Sequence, residues 1–395
     1  MTQRALVIQL ARLGDLAQTI PAIAALREFH ADWGIDLLCP APLAELGRIL
    51  PGIAEVVSWD GAAWHQRAAG AEAGICAEHI AEADAEIRAM AQNLYDRAFV
   101  LNQHPRAVMA GALLARESFG AVSGGPVSRT LSPWAEYIRS VALSKPSHRV
   151  HLADAFCGMC GLLPPKHIML IPVPMTTLPA DLEPIGQSEG DWIGLLVGAG
   201  AQERLVPSGV WERLVAECLE ILPASRIVLV GDQHEQERAR HIQGALSPLL
   251  LGRVWDTTGR LSLVGLAGLL ARCRIVIGAD TDPLHLAAAV GTRVIGWYFA
   301  RARVHETGPY GSNHWIWQAE AGDTSRMAAV APSRWPITET IALLADGSAA
   351  SVEDWSLWSS YRDDLGAYYV ESGREPIEPR EREQIWRQLR PSSVS

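Results

Sequence analysis

Apolar and polar positions alternate along the chain in blocks that switch between strand-like and helix-like periods. "RALVIQL" from Arg4 is a short aliphatic run, and "ARLGD" after it reads as a turn leading into a helix-like stretch that ends at Phe29. "IDLLCP" and "VVSW" (Val56 to Trp59) are two further strand candidates, and "RAFVLN" (Arg97 to Asn102) is another. Residues 62–95 are rich in Ala and Glu with apolar positions at helical spacing, and "PRAVMAGALLARE" predicts a helix after the Arg97 strand. Strands alternating with helices predict a parallel sheet with right-handed crossovers.

The alternation breaks at residues 171–190, which hold four prolines and no clear period. This is the best linker candidate in the chain. Beyond it "WIGLLVGAG" reads as strand and loop, and "SGVWERLVAECLEIL" as a helix with Ser208 as its N-cap. "RIVLVGD" is a strand, "HEQERARHIQGAL" and "LVGLAGLLARC" are helices, and "RIVIGAD" is a strand. "DPLHLAAAVG" is a helix closed by Gly291, and "RVIGWYF" is expected to be the final strand. The fold class expected is α/β, with two Rossmann-like domains facing a cleft and ligands at the carboxyl ends of the strands. The expected boundaries are 1–175 and 190–345, with a Trp-, Tyr- and charge-rich extension over 346–395 that the pattern assigns no role.

A length of 395 residues agrees with two domains of ordinary size. The composition, 49% hydrophobic and 20% charged, is that of a packed globular protein. A net charge of -10 argues against nucleic acid as a partner, since phosphate contacts need a basic surface. No apolar run approaches the ~18–20 residues that cross a bilayer. The first ten residues read as a buried strand and lack the basic start and cleavage site of a signal peptide. Six cysteines, most in apolar stretches, are expected to be reduced thiols, and the cytoplasm is the expected location.

The densest chemistry lies in Arg274 to Gly291, where a buried strand runs through a polar turn into a helix with Pro283 near its first position. Free amides and the positive end of that helix suit a phosphate or diphosphate, with Asp280, Thr281 and His285 around it. A turn whose Asp and Thr only cap the helix is the competing reading. Near the start of the chain, Asp15 follows the first strand at a helix start, which favours its anion and a proton-accepting role. A plain helix cap competes there too.

"GADTDPLHLAAAVGTRVIGWYF" followed by "TGPYG" (Thr307 to Gly311) resembles the signature of glycosyltransferase family 9, the bacterial heptosyltransferase family. That family typically reads Gly-x-Asp-Thr-Gly-Pro-x-His-Leu-Ala-Ala-Ala, with Gly-Pro-Tyr-Gly downstream. "RLGDLAQTIPAIAALR", "YDRAFVLNQHPRAVMAGALLA", "LVGDQHEQERA" and "TTGRLSLVGLAGLLARC" are similar to other family segments and occur in the same order, over roughly residues 4–312. The resemblance implies a GT-B fold, a nucleotide-diphosphate sugar donor such as ADP-heptose, and inversion at the anomeric carbon without a metal or other cofactor. It places the catalytic base on Asp15. Arg204 stands where the family often has a Lys and would neutralise the leaving diphosphate; a solvated loop charge is the alternative. Asp280, Thr281, Asp282, His285, Glu235 and Gly259 fall on the donor side; Glu235 and Glu237 would reach the ribose, against the stronger competing reading of two exposed helix acids. Gly14, His104 and Arg129 fall in the half that takes the acceptor, together with Arg106, Lys145, Arg149 and His151. The acceptor classes are a glycan, lipopolysaccharide core or a protein, and the reading admits peripheral contact with the inner face of the membrane.

Two positions depart from the family pattern. Asp282 replaces the Gly after Asp-Thr, putting an anion where backbone would approach a diphosphate. "RLVP" replaces Lys-x-Trp-Pro. Asp282 also spells "DTD", the acidic motif of metal-dependent A-type transferases, a coincidence given two Rossmann-like arrays. "GAGAQE" lacks the spacing of a nicotinamide loop, and Cys157 and Cys160 lack the further ligands of a zinc site. The 14 Trp residues are expected mainly in packing. Two alternatives share the architecture: a non-hydrolysing nucleotide-sugar epimerase, and a lapsed transferase that serves as a binding or assembly subunit.

Overall fold

The structure is a computed structural model. It describes residues 3–61, 85, 89–90, 94–125, 128–143, 150–174, 178–179, 182, 191–319, 334–374 and 380–389. Most of the Ala- and Glu-rich stretch over 62–95, most of the proposed linker, Lys145 and Arg149 lie outside the described residues, and Tyr95 at the end of that stretch opens a strand. The chain divides into two compact units. The first comprises Met1–Ser147, Leu152–Met169 and Glu381–Ser395, and the second His148–His151 and Leu170–Arg380.

The first unit is built on a sheet of order β3-β2-β1-β4-β5-β6. Its strands are β1 (Arg4–Ile8), β2 (Gly34–Pro40), β3 (Val56–Trp59), β4 (Tyr95–Val100), β5 (Ala115–Gly125) and β6 (Ser128–Leu131). All pairs are parallel except β5 with β6. Helices α1 (Leu13–Gln18), α2 (Ile20–Phe29), α3 (Pro105–Leu114), α4 (Pro133–Leu143) and α5 (Leu152–Met159) accompany it. The single helix expected up to Phe29 is two, because Pro21 has no N–H to donate and its ring crowds the carbonyl one turn back. The helix expected over Pro105 to Glu117 stops at Leu114. Ala115 onward is extended instead, since its ladder to β4 satisfies backbone groups along the β4 edge.

The second unit carries a sheet of order β14-β13-β12-β11-β10-β7-β8-β9. Strands β7 (Trp192–Leu196), β8 (Arg226–Val230), β9 (Val254–Asp256), β10 (Ile275–Ala279), β11 (Arg293–Tyr298) and β12 (Trp315–Ala319) are parallel. Read from β7, the parallel part has the order 3-2-1-4-5-6 of a dinucleotide-type Rossmann sheet. Strands β7 and β10 are buried at every position, which explains why they read as unbroken apolar runs rather than alternating ones. Helices α6 (Ser208–Ile221), α7 (Gln236–Gly244), α8 (Leu263–Arg272), α9 (Asp282–Ala289) and α10 (Ile337–Asp346) accompany this sheet. Ser208 is the first residue of α6 rather than its N-cap: Pro207 holds that place, and Ser208 Oγ accepts from Arg238 Nη1 at 3.4 Å.

"RVIGWYF" is not the last strand. After β12 the extension adds β13 (Trp355–Asp363) and β14 (Gly366–Glu371) as an antiparallel hairpin on the sheet edge, and α11 (Arg380–Gln388) follows. Trp386 of α11 packs on Trp134 in the first unit, with ring centroids 4.2 Å apart. In the second unit Trp211 stacks on Trp297 at 5.1 Å and both are fully buried, so several tryptophans serve as packing, as their bulk suggests. The described cysteines are buried and form no disulfide with one another.

Candidate active site

In the second unit the strand order reverses between β7 and β10, and an open α/β sheet binds ligands just beyond the carboxyl ends of the strands at that point. The loop after β7 supplies Arg204, and the turn after β10 supplies Asp280 and Thr281 ahead of α9. Arg204 Nη1 donates to the Asp280 carbonyl oxygen at 2.8 Å and to its Oδ2 at 3.1 Å. His285 Nε2, one turn into α9, lies 3.5 Å from the other carboxylate oxygen. The side chains of Arg204 and Asp280 are each 17% exposed, and that of His285 is 6% exposed, so water screens this triad weakly.

Burial works to raise the Asp280 carboxyl, yet His285 and the Arg204 guanidinium together hold it below the ordinary carboxylate range. The same charge reaches its neighbours. Burial, then Asp280, pushes the Tyr298 phenol well above its usual value and also raises Glu306. The guanidinium is only half used. Among the described residues its Nε and Nη2 make no hydrogen bond, and these two donors are arranged to grip an oxyanion. Thr281 Oγ1 and His285 Nδ1 are also buried without a hydrogen-bond partner among the described residues. Buried polar atoms are costly to leave unpaired, and these two lie together at the start of α9, on its N-cap residue and one turn in. Asp282 opens that helix and is half-buried.

Beside this turn, Glu235 is the third residue of a capping box, where its Oε2 accepts the Asp232 N–H at 2.6 Å. Its carboxylate lies against Gly198 at the end of β7, where a Cβ would come within 2.4 Å of Oε1. Burial raises the Glu235 carboxyl, and its interaction with Asp232 adds to that. Gly259 sits at φ +66° in the turn after β9, and its N–H donates to the Gly231 carbonyl at 3.0 Å. These residues therefore lie at the carboxyl ends of β7, β8 and β9.

In the first unit, Asp15 follows the carboxyl end of β1, again where the strand order reverses, between β1 and β4. It is half-buried, and its Oδ2 accepts the Arg12 N–H at 3.3 Å, so the carboxylate does cap its own helix. Gly14 is buried one residue earlier in α1. His104 caps α3: its Nδ1 accepts the Arg106 N–H at 3.2 Å, and the ring is exposed. Arg129 lies on β6 opposite Ser123.

Residues 187–331 match the family model described as glycosyltransferase family 9 (heptosyltransferase). This segment of the second unit, a little over a third of the chain, is similar to glycosyltransferase family 9. Lipopolysaccharide heptosyltransferase 1 from Escherichia coli O18:K1:H7 is 23% identical over 340 residues, covering 82% of this chain and 94% of that protein. Two solved structures share the fold of this chain. One is the glycosyl transferase family 9 from Veillonella parvula (TM-score 0.67, 17% identity, 87% of this chain and 98% of that one). The other is E. coli ADP-heptose lps heptosyltransferase II (TM-score 0.65, 17% identity, 87% and 99%). E. coli heptosyltransferase WaaC, solved with ADP, gives a TM-score of 0.58 at 19% identity over 82% of this chain and 95% of that one. Within the family 9 segment the structure brings Arg204, Asp280, Thr281 and His285 together at one turn. Glu235 and Gly259 stand at neighbouring strand ends. His151, grouped with the first half by sequence, belongs to the second unit, where its Nε2 lies 2.7 Å from the Gly308 carbonyl. Tyr298 and Glu306 beside Asp280 are not evident from the sequence. A polar ring closing the buried strand "RVIGWY" is the signal that points to Tyr298.

Proposed function

We propose that this protein transfers heptose or a related sugar from a nucleoside diphosphate to an acceptor hydroxyl, with inversion and without a metal or other cofactor. The observation that carries the reading is the Asp280 turn. A half-used guanidinium and two buried, unpartnered polar atoms converge where a Rossmann sheet takes its ligand. The diphosphate is gripped by Arg204 Nε and Nη2, with Asp280 fixing the guanidinium from the other side. Glu235 meets the ribose, and Gly259 shapes the adjoining turn. The E. coli relative is named for lipopolysaccharide and a related structure was solved with ADP, which supports ADP-heptose as donor and a lipopolysaccharide-core or other glycan as acceptor.

In the reaction the acceptor oxygen attacks the anomeric carbon as the bond from that carbon to the diphosphate oxygen breaks. Asp15 takes the acceptor proton, and the bonding pair leaves with the nucleoside diphosphate, whose growing charge Arg204 meets. Gly14, His104 and Arg129 belong to the unit that receives the acceptor. The work takes place in the cytoplasm, with membrane contact supplied by a lipid-linked acceptor; no helix among the described residues is long and apolar enough to cross a membrane.

The test is calorimetric titration of the full chain with ADP, UDP and GDP, followed by incubation with ADP-heptose and a core-glycan acceptor. Binding of ADP and glycosylation of the acceptor are expected. Failure of all three nucleotides to bind would remove the reading.

A further inference from the structure

We infer that the C-terminal hairpin β13–β14 is part of the donor site, with Tyr369, Tyr298 and His151 acting as positioning residues for the Thr307–Gly311 loop beside Asp280. The inference rests on the donor reading of that turn. It concerns residues beyond the segment 187–331 that matches the family, since Tyr369 lies on β14.

Three successive carbonyls of the loop are each held by a different element. Tyr298 Oη, at the end of β11, donates to the Thr307 oxygen at 2.9 Å. His151 Nε2, just ahead of α5, meets the Gly308 oxygen at 2.7 Å. Tyr369 Oη on β14 donates to the Pro309 oxygen at 2.7 Å. All three side chains are buried, with exposures of 0%, 1% and 2% for Tyr298, His151 and Tyr369. Because a carbonyl only accepts, His151 carries its proton on Nε2. Burial lowers this imidazole to about 4 and lifts both phenols well above their usual values, so all three are neutral donors at neutral pH.

Loops usually lie in water and move. This one is bound to two strands of the sheet and leaves no slack. A Cβ on Gly308 would meet the Tyr369 ring at 2.4 Å, so ring and backbone are in direct contact. The register fixes the ring in turn: Tyr369 pairs with Ser360 on β13, and β13 pairs with β12 through Ile316 and Trp358. The other end of the chain of contacts is the donor turn. Tyr298 and Glu306, in the one-turn helix Val304–Thr307, both lie within the field of Asp280, which also binds Arg204 and His285. Through Tyr369 the hairpin therefore fixes the loop whose other contact, Tyr298, reaches Asp280.

The experiment measures ADP affinity, donor KM, kcat and Tm for full-length wild type, Tyr369→Phe and Tyr361→Phe, the last an exposed tyrosine on the same hairpin. Loss of one neutral hydrogen bond corresponds to about tenfold in an equilibrium constant. Tyr369→Phe is expected to raise the ADP Kd and the donor KM by up to about tenfold, leave kcat within about twofold and unfold cooperatively near the wild-type Tm. Tyr361→Phe is expected to match wild type. Unchanged Kd and KM in Tyr369→Phe would overturn the inference, as would an equal loss in both variants. If Tyr369→Phe does not fold, His151→Gln, which keeps an N–H donor for Gly308, is compared with His151→Leu: weakened ADP binding in Leu alone supports the clamp, and equal affinities overturn it. A wild type that binds ADP with unaffected variants defeats only this inference. A wild type that binds no nucleoside diphosphate defeats the donor reading and this inference with it.

Discussion

Replacing Asp280 with Asn removes one charge from the donor turn while keeping its shape. The Arg204 guanidinium, 3.1 Å from the carboxylate, then faces a neutral amide, and the His285 contact at 3.5 Å loses its anion. Stripping a partner from a fully buried ion pair costs about 3–5 kcal/mol, and a hydrogen bond to a charged group is worth about 1.5–3 kcal/mol. The Asn carbonyl still accepts one bond, and with 17% exposure at both partners water recovers some of the loss. These points place the cost near the lower figures, about 2 kcal/mol. For a unit of this size that is a fall in Tm of about 4–8 °C. Scanning calorimetry at pH 7 reads it directly. The pH dependence carries a sign. The folded-state pKa of Asp280 is depressed, so its contribution is complete above the unfolded value of about 3.9 and is lost as pH falls through the lower folded value. The gap between wild type and Asp280→Asn should thus be present at pH 7 and close in acid below the carboxylate range. A gap below about 1 °C at pH 7, or one that persists undiminished in that acid, would refute the claim that this pair stabilises the turn.

Asp15→Ala is expected to lower transfer by at least about 100-fold, the usual scale for a lost general base, while ADP affinity stays measurable; sustained turnover would take the base role from Asp15. Gly259→Ala forces a side chain onto a backbone at φ +66° and places a Cβ 2.9 Å from the Gln233 Cα. Left-handed backbone costs about 1–2 kcal/mol and the clash adds about as much again, so urea denaturation should show a clearly lower midpoint. An unchanged midpoint would mean that the turn relaxes freely.

Much of the architecture is legible in the sequence because parallel strands buried on both faces are continuous apolar runs. "RIVIGA" and "WIGLL" have no other easy place than the middle of a covered sheet. The turn before α9 is legible for a related reason: Pro283 and the polar residues ahead of it mark a helix start after a buried strand. Element boundaries are less legible. Ala115–Gly125 has helix-compatible residues at its start, yet pairing with β4 outweighs their local preference. The hairpin β13–β14 carries Trp and Tyr at positions whose meaning depends on which strand edge is free to receive them.

By itself, the order of apolar and polar residues determined two βα arrays, the strand ends where chemistry sits, and a helix start ready for an anion. Those are local matters, set by periodicity, proline and short-range backbone geometry. Only the tertiary structure decided that Arg204 spends one nitrogen on Asp280, 76 residues away, that His151 joins the second unit, and that Tyr369 closes on Pro309, 60 residues earlier. Such pairings come from strand order and register. Neither propensity nor spacing encodes them, because the energy that selects them exists only once the sheet has brought distant backbone and side chains into the same dry volume.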